Sequence, residues 1–223
     1  IADLPEIAEL DINPLLADAD GVLALDARIR VAATKKVGPS RLAIRPYPKE
    51  LETTIDFDGG PLMIRPIRPE DEPEHSALFA ALSPTDIRFR FFGALREPIH
   101  SELARYTQID YDREMAFIAS RDNADGHPET LGVTRLICDP DNEVGEFAIV
   151  IRSDLKGKGL GSILLRHLID YARTRKTSTI VGSVFKDNKA MLALAEKNGF
   201  TRKLNTKEGI YEMRLTLGAP ISG

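Results

Sequence analysis

Tryptophan is absent from the 223 residues and cysteine occurs once, at Cys138. A lone cysteine excludes an internal disulfide and a cysteine-based zinc cluster, and it suits a reducing compartment, the cytoplasm. No apolar run approaches the roughly 18–20 residues that a bilayer-spanning helix needs. The opening Ile1-Ala2-Asp3-Leu4-Pro5 has no initiator Met and no basic stretch leading into an apolar one. It reads as a piece cut from a longer polypeptide, without a signal peptide. Positive charge is not in excess: 30 Lys and Arg against 34 Asp and Glu leave a net −4, so bulk charge favours neither nucleic acid nor an anionic membrane. The four His residues (His75, His100, His127, His167) show no metal-ligand spacing and read as surface or satisfied groups. What remains is 43% hydrophobic and 29% charged, the composition of a globular chain with one good core and a small appendage.

The most informative stretch is 143–163. Phe147 to Ile151 is an unbroken apolar run with β-branched residues, which predicts a strand covered on both faces. Gly157, Gly159 and Gly161 then alternate, and Leu160, Ile163, Leu164, Leu168 and Ile169 recur at helical spacing to about Arg173. A glycine-rich turn that opens a helix lets the backbone approach a ligand, and the helix's first N–H groups hold an anion such as a diphosphate. No P-loop is present, because no Gly-x-x-x-x-Gly-Lys followed by Ser or Thr occurs. The spacing of Gly157-Lys158-Gly159-Leu160-Gly161 is also wrong for a dinucleotide fingerprint.

Lys156-Gly157-Lys158-Gly159-Leu160-Gly161 instead resembles the coenzyme A diphosphate loop of the GNAT acetyltransferase superfamily, with Lys156 where Arg or Gln is commoner. Two further segments resemble that family. Leu62–Ile67, then Arg68-Pro69-Glu70-Asp71 and a helix to about Leu82, resembles its opening. The strand 179–185, Asn188, a helix rich in Ala and Leu, and Gly199-Phe200 resemble its second coenzyme segment. The resemblance implies an α/β (α+β) fold: a mixed central sheet of six to seven strands flanked by helices, over residues 62–218.

Upstream, Ile7–Leu15 alternates like a strand, Ala17-Asp18-Ala19-Asp20-Gly21 supplies a turn, and Val22–Val31 returns. This hairpin, with Asn13-Pro14-Leu15, resembles the end of the ATP-grasp region in ADP-forming acyl-CoA synthetases, and 1–36 is expected to be its remnant. In that family an Asn and an Asp at positions like Asn13 and Asp26 can hold Mg²⁺; without the rest of the lobe no metal site is expected here. The Pro- and Gly-rich span 37–61 reads as a linker, with a short extended piece near Leu51–Phe57. Further helices are expected over Ile87–Phe92 and Ile99–Thr107, and strands at Met115–Ala119, Thr130–Ile137, Thr201–Asn205 and Ile210–Leu217. The Arg and Phe residues of 88–92 read as solvated arginines beside core phenylalanines rather than as a nucleic-acid reader.

Taken together, the chain resembles bacterial protein lysine acetyltransferases that join a synthetase-like region to a GNAT domain. The resemblance implies acetyl-CoA as co-substrate and, as partners, a protein bearing the acceptor lysine (acetyl-CoA synthetase, for example) and the upstream synthetase-like region. Coenzyme binding is expected from Val150, Ile151, Arg152, Lys156, Gly157, Lys158, Gly159, Leu160, Gly161, Ser162 and Asn188. A lysine amine is protonated near neutrality, with a reference pKa of about 10.4, so it needs a base. Glu146, at the start of the strand and expected to be partly buried, is the expected base; Glu143 is the alternative. Cys138 reads as a structural thiol, so attack is direct. Many relatives place a Tyr acid where this chain has Ala195, and Tyr211 is only a weak substitute. Acetylation of a small amine and a non-catalytic acetyl-CoA sensor are the competing readings. The acceptor groove is expected along 76–107.

Overall fold

The computed structural model describes residues 4–34, 42, 44–93 and 100–218. Val37 to Ser40 of the expected linker, and Ile99 at the expected start of a helix, lie outside the described residues. The chain divides into two compact units, Ile1–Pro46 and Tyr47–Gly223.

The first unit is a hairpin in two stretches. β1 (Ile7–Ile12) pairs antiparallel with β4 (Ala27–Val31), and β2 (Leu15–Asp18) with β3 (Gly21–Ala24). The stretches are joined where Asn13 N–H donates to Asp26 C=O at 3.2 Å and Leu25 N–H to Pro14 C=O at 3.1 Å. Asp18 closes the tip by accepting from the N–H groups of Asp20 and Gly21, as a short acidic side chain at a turn does.

The second unit is built on an eight-stranded sheet in the order β11-β12-β10-β9-β8-β7-β6-β5. Its strands are β5 (Thr53–Phe57), β6 (Gly60–Pro66), β7 (Glu114–Asp122), β8 (Pro128–Cys138), β9 (Val144–Ile151), β10 (Thr179–Phe185), β11 (Thr201–Asn205) and β12 (Ile210–Thr216). All neighbours are antiparallel except β9 and β10, which are parallel. The six or seven strands expected become eight because part of the span read as linker, 37–61, forms β5 on the sheet edge. β5 and β6 are joined by a turn at Asp58-Gly59, both with positive φ.

Helices cover both faces. On one, α4 (Leu160–Thr174) and α5 (Lys189–Lys197) contribute to a core with Phe117, Leu131, Leu136, Phe147 and Ile180. Leu160, Leu164, Leu165, Leu168, Ile169 and Ala172 of α4 form one buried stripe; each fully buried Leu stabilises by roughly 1.5–3 kcal/mol over leaving it in water. On the other face α1 (Glu72–Ala80), α2 (Pro84–Phe91) and α3 (His100–Thr107) flank a second core of Ile67, Leu78, Phe79, Leu103, Ile118, Val133 and Val150. His75 lies in this second layer, edge-on to Phe79, only 1% exposed, and with its Nδ1 lacking a partner. It is therefore neither the surface nor the satisfied histidine expected from spacing. Arg135, buried in mid-strand, is held by the Glu114 carboxylate and the Tyr106 carbonyl. Among the described residues no helix is long and apolar enough to cross a membrane.

Candidate active site

The parallel pair β9 and β10 gives the site its shape. They match over three residue pairs, Val144–Thr179, Gly145–Ile180 and Glu146–Val181, and then separate. Phe147 lies at the point of departure. Its ring sits against Gly182, where an added Cβ would meet Phe147 Cε1 at 2.5 Å. Only a residue without a side chain admits that ring so close to the β10 backbone.

Beyond this point β9 has lost its neighbour on one side. Arg152 N–H donates to Leu131 C=O on β8 at 2.9 Å, and Ile151 lies opposite Gly132. Because an antiparallel ladder alternates, Ala148 and Val150 spend their main-chain groups on β8, as does the Arg152 N–H, while the Arg152 C=O accepts from Leu155 N–H at 3.0 Å. Ile149 and Ile151 face the vacated side. Of the three residues expected to present backbone to the pantetheine arm, Val150 and Arg152 thus turn their main-chain N–H groups to β8, although Val150 still lines the cavity, and Ile149, not anticipated, joins Ile151. The Arg152 side chain is also engaged, by Glu129 at 2.7 Å and Asp154 at 2.8 Å.

The gap opens into a cavity of ≈ 630 Å³. Its floor and one end come from β9 and from the loop into α4: Lys156, Gly157, Gly159, Leu160, Gly161 and Ser162 all line it. Gly157 and Gly159 have φ of 78° and 93°, left-handed values that glycine adopts without strain. That conformation folds the loop so that α4 begins at once. Ser162 and Ile163 N–H both turn back to Gly159 C=O, at 3.0 and 3.2 Å. The N–H groups of Leu160 and Gly161, the first two of the helix, precede any intrahelical acceptor and carry the positive end of the helix dipole. The arrangement fits a diphosphate held by main chain. Asn188 also lines the cavity, and its carboxamide caps α5 by accepting from Met191 N–H at 3.1 Å.

Neither lysine of the loop is free. Lys158 pairs with Asp58 at 2.8 Å and does not line the cavity. Lys156 pairs with Asp86 of α2, a carboxylate that is only 6% exposed. The same carboxylate accepts from Ser153 Oγ at 2.5 Å and Ser83 Oγ at 2.9 Å. Burial pushes the Asp86 carboxyl up, but the hydrogen bonds from Lys156, Ser153 and Ser83 outweigh it and hold it below the usual carboxylate range.

Glu146 lines the cavity at the fork of the two strands. It is exposed, not partly buried, and it is the last β9 residue paired with β10 before the strands separate. Arg90 of α2 lines the same cavity. Burial lowers its proton affinity from the usual guanidinium range, while Tyr106 and Glu146 act in the opposite sense. The aromatic-basic segment therefore divides differently from its expected reading. Phe91 is packed on Phe79, Phe92 is 48% exposed and lies against Phe185, Arg88 is solvated and paired with Asp187, but Phe89, Arg90, Phe91 and Phe92 all line the cavity.

Other candidates fall outside the cavity. Glu143 is exposed before β9, and Tyr211 of β12 lies under the Arg202 guanidinium. Ala195 is buried in the core, with no acid group to offer. Cys138 is half-buried, and burial pushes its thiol up, away from a reactive thiolate. Nothing in the local pattern of α2 announces Asp86, whose partner lies 70 residues away, and Arg90, read as a solvated arginine, lines the cavity instead. Among the described residues no group of three or more His, Cys, Asp or Glu could hold a metal ion.

Residues 61–201 match the acetyltransferase (GNAT) domain family, and residues 1–31 match the ATP-grasp domain family. The chain is 34% identical over 143 residues to acetyltransferase PA5475 of Pseudomonas aeruginosa, covering 64% of this chain and 76% of that protein. It is 36% identical over 105 residues to the [ribosomal protein bS18]-alanine N-acetyltransferase of Salmonella typhimurium, covering 44% of this chain and 68% of that protein. Among solved structures, the GNAT domain of S. lividans PAT superposes with a TM-score of 0.69 at 22% identity, covering 77% of this chain and all (100%) of that one.

Proposed function

This chain belongs to the acetyltransferase (GNAT) domain family, and from that premise we propose that it transfers acetyl from acetyl-CoA to the ε-amine of a lysine on a protein. One observation carries the reading: a single cavity brings together the left-handed glycine loop, the uncovered edge of β9 and the Glu146 carboxylate. In this reading the main-chain N–H groups at the start of α4 hold the diphosphate, and Gly157, Gly159 and Gly161 allow it to approach. The pantetheine arm takes the place that β10 leaves, exchanging hydrogen bonds with Ile149 and Ile151 as an added strand would. Asn188 borders the arm on the α5 side.

The thioester carbonyl then lies near the fork, beside Glu146. The amine attacks the carbonyl carbon directly, and its proton passes to the Glu146 carboxylate, through a water or not. A main-chain N–H on the uncovered edge of β9 steadies the oxyanion. As the tetrahedral intermediate collapses, the C–S bond breaks and coenzyme A leaves as a thiolate. With a thiol pKa near 8.5, that thiolate departs without a dedicated acid, which accommodates Ala195.

The protein acceptor is supported by the relative that acetylates a ribosomal protein and by the ATP-grasp match upstream, the pairing that the sequence resemblance attaches to enzymes acting on acetyl-CoA synthetase. The free thiol of Cys138 agrees with action in the cytoplasm. Incubation with acetyl-CoA and a panel of proteins and small amines, read by mass spectrometry, tests the proposal. Acetyl on lysine side chains of acetyl-CoA synthetase or another protein is the expected result. Modification confined to free polyamines, amino acids or protein N-termini would refute it.

A further inference from the structure

We propose that Asp86 is a positioning residue that holds the Lys156 ammonium away from the coenzyme diphosphate and thereby sets the affinity for coenzyme A. The inference rests on the reading of the 156–161 loop as the diphosphate site. Its starting point is an irregularity in α2. Ser83 is the helix N-cap, accepting from Asp86 N–H at 3.2 Å. An acid at this third position ordinarily reaches back to the N–H of the cap residue and completes a reciprocal box. Here the Ser83 N–H donates to Ser153 Oγ instead, at 2.9 Å. The Asp86 carboxylate is released from capping and turns to the coenzyme loop, where Ser153 and Lys156 donate to it.

The consequence is electrostatic. A carboxylate on the wall of a cavity built for an anion repels that anion, and burial leaves little water to screen it. Pairing with Lys156 cancels the charge, so the pair presents a neutral surface where the loop sequence alone suggests a cation. The diphosphate is left to main-chain N–H groups. Ser83 and Ser153 fix the carboxylate from two further directions, so Lys156 has a partner whether or not a ligand is near. The same cluster ties α2, which carries Arg90 into the cavity, to the loop before α4.

A cycle of three variants tests this by calorimetric titration of the full chain with coenzyme A. Asp86→Asn keeps the shape and an acceptor oxygen but frees Lys156, so the dissociation constant is expected to fall by about threefold or more. Lys156→Gln leaves the carboxylate unpaired beside the diphosphate and weakens binding. The double variant removes both charges together, a change that folded proteins tolerate better than either alone, and recovers most of that loss. Pantetheine, which has no diphosphate, is expected to bind all four proteins alike when titrated by NMR.

The proposal is overturned if Asp86→Asn binds coenzyme A as weakly as the parent or more weakly, or if the double variant stays as weak as Lys156→Gln. A parallel change in pantetheine binding also overturns it, since that marks general disturbance of the site. Should Asp86→Asn fail to fold, the comparison of Lys156→Gln with the double variant decides alone. Failure of the parent protein to bind coenzyme A would sink the loop reading itself, a result distinct from any of these.

Discussion

Glu146 owes its place at the fork to a neighbour's departure rather than to its own strand. Replacing it with Gln removes the proton acceptor and keeps the shape. The expected outcome is a fall in kcat of about 10²–10⁴-fold with coenzyme A affinity retained, read by steady-state kinetics and calorimetry on the same preparation; unchanged turnover would remove Glu146 as the base. His75 makes a second prediction at this scale. Burial, with Arg135 and Arg90 nearby, lowers its pKa from 6.5 to about 3, so it is neutral in the folded protein. The unfolded chain binds the proton below 6.5, and stability is therefore lost as pH falls from about 6.5 towards about 3, by up to about 1.4 kcal/mol per unit. His75→Phe, placed beside Phe79 and Tyr106, is expected to flatten this acid slope in urea unfolding between pH 7 and 5. An equal slope in both proteins would place the acid sensitivity elsewhere.

At the scale of elements, the fork depends on the contact between Phe147 and Gly182. Gly182→Ala drives a methyl into the Phe147 ring, and overpacking of this kind costs about 1–3 kcal/mol. A lower Tm together with weaker coenzyme binding is expected, since the same ring lines the cavity; a variant as stable and as tight-binding as the parent would refute the wedge. The elements show what a sequence can and cannot carry. β10 was legible to the residue, and α4 nearly so, because their apolar periods and flanking turns are local. The glycine loop was legible because left-handed backbone needs glycine. β5 was half legible: its extended piece near Leu51–Phe57 shows in the sequence, but its pairing on the sheet edge is hidden by prolines and glycines that look like a linker. The true facing of Val150 and Arg152 was also hidden, because it follows from register with β8 and not from anything in β9. Asp86 and Arg90 belong to the same class. Their roles arise from contacts between distant parts of the chain.

For the whole molecule, the unit beginning at Tyr47 holds both hydrophobic cores and every residue that lines the cavity. A protein starting at Tyr47 is therefore expected to fold cooperatively and to bind coenzyme A with the affinity of the full chain, as circular dichroism and calorimetry would show. Loss of binding in the folded shorter protein would place part of the site's support in residues 1–46.

The short match between β9 and β10 has a mechanical consequence. The sheet is two leaves, β5 to β9 and β10 to β12, whose main chains are stitched by three residue pairs, with the α4-side core packed across both. A bound pantetheine arm is a further row of stitches along the open seam. Amide hydrogen exchange should show the three-stranded leaf loosening first in the free protein, with coenzyme slowing exchange at Ile149 and Ile151 while Val150, already sewn to β8, barely changes.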